Sequence, residues 1–101
     1  MNSVQSINNV NIRLTDERWR HITEEHSELA GYFYDVLESI SNPDYIYKGQ
    51  NEELLAVKEI LPLKSLVVIY KETNKKDGFV ITAFITKRKK QLEKRELLWQ
   101  K

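Results

Sequence analysis

Apolar and polar residues alternate over Val10-Asn11-Ile12-Arg13-Leu14, a period of two that predicts a short strand or an extended lead-in. From Thr15 the spacing changes. Trp19, Ile22 and His26 fall on one side of a helix turning ~100° per residue, with Leu29 continuing that side. Thr15 is a suitable N-cap, and Asp16 and Glu17 sit where the helix dipole favours negative charge. A helix is therefore predicted over 16–25. Leu29, Tyr32, Phe33, Val36, Leu37 and Ile40 then recur at three- and four-residue spacing, which predicts a second helix over 28–41. Asn42-Pro43 ends it, because a residue before proline avoids helical angles. Gly31 marks a break or a close approach.

The remaining pattern is that of strands. Segments 44–48, 53–60 and 66–70 precede the β-branched and aromatic run Phe79 to Thr86. Leu66-Val67-Val68-Ile69-Tyr70 is apolar throughout, as expected of a central strand covered on both faces. The connections are short and polar, so the strands read as an antiparallel meander. The expected fold is α+β: two N-terminal helices packed on a four-stranded antiparallel sheet, a single domain over 1–101 with its core at about 12–88. Segment 87–101 reads as a C-terminal helix or basic tail. Residues 91–99 have helix-forming composition, but Leu92, Leu97, Leu98 and Trp99 make no single stripe.

Composition narrows the function classes. A chain of 101 residues, 41% hydrophobic and 31% charged, suits one packed domain with a solvated surface. The absence of cysteine excludes disulfides, thiolate metal sites and a cysteine nucleophile. No apolar run is long enough for a membrane span, and the N-terminus lacks a secretory pattern, so a cytoplasmic location is expected. Charge is unevenly divided. Residues 87–101 hold seven Lys/Arg against two Asp/Glu, leaving nine (16 − 7) against thirteen (15 − 2) in the rest. The acidic body and basic end suit contact with nucleic acid, with an acidic partner, or with the chain's own body.

No glycine-rich phosphate loop, zinc-binding helix or serine elbow occurs, and neither a metal nor a cofactor is expected. RNA cleavage remains compatible with the residues present. The ribose 2′-hydroxyl is the nucleophile, so the protein needs only acid–base groups and donors for the charged phosphorane. His26, on the inward side of the first helix, and His21, on its polar side, are the acid–base candidates. Lys58 on an inner strand, Tyr70 and Thr82 are candidates around the phosphate. Thr86 shares a face with Thr82 and is followed by Lys87, Arg88, Lys89 and Lys90, a run suited to flanking phosphates. Each has an ordinary structural alternative: a capping or surface histidine, a lysine paired across strands, common strand residues, a solvated charge run.

Taken together, Arg18-Trp19-x-His21-Ile22-x-x-x-His26-x-Glu28-Leu29, Asn42-Pro43-Asp44-Tyr45-Ile46, Leu66-Val67-Val68-Ile69-Tyr70-Lys71 and Phe79-Val80-Ile81-Thr82-Ala83-Phe84 resemble a family. It is that of the small phage-associated nucleases grouped with barnase, EndoU, colicin ribonuclease domains and RelE. The resemblance covers residues 12–88. It implies two helices on a four-stranded sheet, metal-independent RNA endonuclease activity of a toxin-like kind, and RNA as partner. It further implies a small antitoxin as a protein partner. The histidine pair of that pattern falls on His21 and His26, the strand motif on Thr82-Ala83-Phe84, and the basic inner-strand residue on Lys58. Two other readings stay open: a non-catalytic RNA- or protein-binding module of the same fold, and an interaction protein whose Leu97-Leu98-Trp99 end docks on a partner or on a second copy. No membrane partner is expected.

Overall fold

The computed structural model describes residues 2–101. The alternating lead-in becomes a hairpin of β1 (Ser3–Gln5) and β2 (Asn11–Arg13), with Val4 opposite Ile12. Helix α1 (Asp16–Glu25) begins as expected, the Thr15 hydroxyl accepting from the Arg18 N–H at 3.1 Å. It buries Ile22 and sets Trp19 edge-on to Phe33, with ring centroids 5.3 Å apart. The predicted second helix is shorter than 28–41. A 3₁₀ turn (Ser27–Leu29) and a break precede α2 (Phe33–Ser41). Nothing lies within 4 Å of the place a Gly31 Cβ would occupy, so that glycine marks the break and not a close approach.

Strands β3 (Tyr45–Lys48), β4 (Leu54–Leu61), β5 (Lys64–Glu72) and β6 (Asp77–Thr86) form the expected antiparallel meander. The sheet is larger than four antiparallel strands, however. Among the described residues it has seven, in the order β1-β2-β6-β5-β4-β3-β7, and is mixed. At one end β2 pairs in parallel with the start of β6, Ile12 opposite Gly78. The physical reason is burial: Val10, Ile12 and Leu14 are at most 4% exposed, and joining the sheet satisfies their backbone while covering their side chains. Gly78 is the second residue of β6. A Cβ there would run into the Lys71 carbonyl oxygen and come within 2.7 Å of Ile12 Cδ1.

The second correction concerns the C-terminal segment, which is neither a helix nor a free tail. Only Lys89–Leu92 is helical (α3), and Leu97–Gln100 forms β7, antiparallel to β3. Adjacent Leu97, Leu98 and Trp99 cannot share one helix stripe. The outer edge of β3 offers unpaired backbone groups, and Trp99 pairs opposite Ile46 there, with Leu98 taken up where the register shifts.

The sheet has two covered faces. On one, Ala56, Leu66, Val68, Tyr70, Val80 and Ala83 pack against Ile22, Leu29, Val36 and Ile40 of the helical layer. On the other, Tyr47, Leu55, Val57 and Val67 lie beneath Leu92, with Tyr45, Ile69 and Phe84 at the margin. The connection from β6 to β7 thus crosses the face opposite the helices and is anchored there by Leu92, 7% exposed. Among the described residues, no helix is long and apolar enough to cross a membrane.

Candidate functional site

Pairing with β2 reaches only Phe79, so among the described residues β6 from Val80 onward has no strand neighbour on that side. The end of α1 stands against this open edge. His26 caps α1, its backbone N–H donating to the Ile22 carbonyl at 2.8 Å. Its ring lies 6.3 Å from that of Phe84, tilted by 39°. The side chain is 33% exposed, and Nδ1 is 3.7 Å from Glu28 Oε2. The imidazole therefore has one packed side, one acidic neighbour and an open side.

Alternation along β6 puts Thr82, Phe84 and Thr86 on one face. Their cross-strand partners Ile69, Val67 and Ser65 identify it as the face opposite the helices. His26 is thereby brought beside the row that carries both threonines. The Thr86 hydroxyl accepts from the Arg88 N–H at 3.0 Å, which turns the chain out of β6 and starts the basic run. Lys87, Arg88, Lys89 and Lys90, with Gln91 and Glu93, line one open groove of about 540 Å³.

The run folds back toward β3. Lys89 Nζ sits 4.9 Å from the centre of the Tyr45 ring. Its ammonium is held above the ordinary lysine range, first by the Tyr45 phenol and further by Glu59 and Glu93, with burial opposing. It is consequently a cationic donor and not a proton acceptor at neutral pH. Tyr47 beside it is buried, and its phenol is pushed up by that burial and by Glu93. A second cleft of about 290 Å³ opens on the same face, with Tyr45, Glu59, Ser65, Lys89 and Gln100 in its lining.

Three expected residues lie elsewhere. Lys58 pairs with Leu66 of the helix-side core, and its ammonium donates to the Asn42 carbonyl at 2.8 Å. It therefore belongs to the face opposite Thr82. Tyr70 is fully buried on the helix side, its hydroxyl without a hydrogen-bond partner among the described residues, and burial followed by Glu72 drives its pKa upward. His21 is exposed near Glu17, 4.0 Å away, in a cleft with Thr15, Arg18 and Glu25. Thr82 and Thr86 thus share the face of Phe84, the ring beside His26, with the run 87–90 following, whereas Lys58 and Tyr70 lie on the opposite face and His21 in a separate cleft.

Glu59, Ser65 and Tyr45 were not singled out from the sequence as one cluster. Both faces of β4 carry apolar residues (Leu54, Leu55, Ala56, Val57), so period two alone does not say whether Lys58 or Glu59 faces the helices. The one available signal was the Leu55–Val57–Glu59 parity, read together with the strand that contains Phe84. Among the described residues, no three His, Cys, Asp or Glu side chains gather as metal ligands.

A family model described as phage-Barnase-EndoU-ColicinE5/D-RelE like nuclease2 matches residues 2–100. No curated protein and no solved structure matches the chain.

Proposed function

Because this chain belongs to the phage-Barnase-EndoU-ColicinE5/D-RelE like nuclease2 family, we propose that it is a metal-independent RNA endonuclease working on the sheet face opposite its helices. The observation that carries the reading is His26 beside Phe84, in the row of Thr82 and Thr86, where the basic run begins. In this mechanism His26 takes the proton of a ribose 2′-hydroxyl as that oxygen attacks the adjacent phosphorus. The bond to the 5′-oxygen breaks, and that oxygen is protonated from water. The products are a cyclic phosphate and a 5′-hydroxyl end. Thr82 and Thr86 hydroxyls donate to the non-bridging oxygens, and Lys87 and Arg88 offset the charge that builds on them. Lys90 holds a neighbouring phosphate. In a toxin-like setting, the basic groove is the surface an acidic neutralising protein would cover.

The test is incubation with single-stranded and structured RNA in EDTA. Cleavage that disappears in His26→Ala supports the reading. Intact RNA, or equal cleavage by the variant, removes it. One observation favours a second reading, RNA binding without cleavage: among the described residues a single imidazole lies beside Phe84, His21 being exposed in a separate cleft with Glu17, Arg18 and Glu25. That reading expects salt-sensitive binding that leaves the RNA intact.

A further inference from the structure

The cleft beside the basic run has features the cleavage step does not use. Tyr45 presents an aromatic ring whose present neighbour is the Lys89 ammonium, 4.9 Å from its centre. Glu59 is exposed on the same face, opposite Ser65 in the ladder. Among the described residues its carboxylate makes no ion pair or side-chain hydrogen bond, its charged neighbour being the Lys89 ammonium that it helps to keep protonated, while its backbone N–H donates to Asp44 Oδ2 at 2.8 Å. Ser65 is 95% buried there (5% exposed), and Gln100 closes the side formed by β7. The volume, about 290 Å³, falls just below the roughly 300–1,000 Å³ typical of ligand clefts, and suits one nucleotide more than a longer segment.

We propose that this cleft holds one unpaired nucleotide next to the scissile phosphate, its base stacked on Tyr45 and its Watson–Crick edge read by Glu59. The inference rests on the RNA reading above and adds a specificity site to it. Three chemical facts support it. An exposed cation–π contact is weaker than base–aromatic stacking, so a base displaces Lys89 from the ring. The released ammonium stays charged and meets the phosphate of the same nucleotide. A carboxylate is acceptor-only. It therefore favours base edges with an exocyclic amino group, those of adenine, cytosine and guanine. Uracil has a single N–H between two carbonyl oxygens, and those oxygens would face the carboxylate. Uridine is therefore the disfavoured occupant.

The experiment uses the full chain with His26→Ala, so that binding is measured without cleavage. Short homopolymeric RNAs of each base are titrated, and backbone amide shifts are followed by NMR. Adenylate, cytidylate and guanylate oligomers are expected to bind about tenfold tighter than uridylate, with shifts at Tyr45, Glu59 and Gln100. Glu59→Gln, which can donate as well as accept, is expected to restore uridylate binding. Tyr45→Ala weakens all four by about tenfold, and Tyr45→Phe leaves them unchanged. The Phe variant separates loss of stacking from loss of folding. Equal binding of uridylate, insensitivity to Glu59→Gln, or shifts confined to the groove of 87–90 overturns the proposal. The two readings fail separately. Base-selective binding in the cleft with RNA left intact by the unmodified chain removes only cleavage; His26-dependent cleavage with no base preference removes only the specificity site.

Discussion

The Lys58 ammonium donates a 2.8 Å hydrogen bond to the carbonyl of Asn42, the residue that caps the end of α2. A cation at this position satisfies one of the carbonyls a helix leaves unpaired and favours the negative end of its dipole. Lys58→Met keeps the aliphatic stem and removes the charge. It is expected to lower stability by about 1 kcal/mol in denaturant unfolding, with cleavage per folded molecule unchanged. A large loss of activity at full folding would return Lys58 to the site.

The two histidines are expected to part company. His26→Ala removes the imidazole beside Phe84 and should lower the cleavage rate about 100- to 10,000-fold. His21→Ala lies in a separate cleft with Glu17 and Arg18 and should leave the rate within a factor of two or so, as surface substitutions do. Single-turnover cleavage of one labelled RNA by both variants checks this.

Tyr70 carries a buried hydroxyl without a partner. Tyr70→Phe removes that unsatisfied group and is expected to raise stability by about 1 kcal/mol. The pH dependence has a definite sign. Burial, then Glu72, raises the folded-state pKa above the ordinary 10.0, so on alkalinisation the unfolded chain releases this proton first. The contribution to stability is complete below that pH and is lost progressively above it. Tyr70→Phe should therefore delay alkaline unfolding, followed by circular dichroism.

Gly78 has no room for a side chain, because Ile12 Cδ1 and the Lys71 carbonyl close over it. Gly78→Ala should lower stability by about 3 kcal/mol, the upper part of the range for overpacking. Loss of β2 pairing would accompany it, visible as faster hydrogen exchange at Ile12 and Phe79.

Leu92 is the one fully inserted side chain of the crossover between β6 and β7. Leu92→Ala should cost ~2–5 kcal/mol. Part of that loss should appear locally, as raised amide exchange in Leu97–Gln100 and weaker RNA binding by Lys87–Lys90. Unfolding and exchange measured on one sample separate the local from the global effect.

By itself, the sequence determined the kind of each central element. Helical spacing around Trp19 and Ile22 and around Val36 and Ile40, proline after Asn42, and the β-branched runs ending at Tyr70 and Thr86 are local signals, and local backbone and side-chain preferences are enough to read them. It also put Thr82 and Thr86 on one face of their strand, because alternation needs no partner. Only the tertiary structure decided which way a strand faces when both of its sides are apolar, and so put Glu59, not Lys58, on the face of Thr82. It alone decided that the lead-in would close the core as a parallel neighbour of β6, and that Leu97–Gln100 would take the free edge of β3. Those outcomes depend on which buried surfaces and unpaired backbone edges remain after the meander has formed, a quantity that no window along the chain contains.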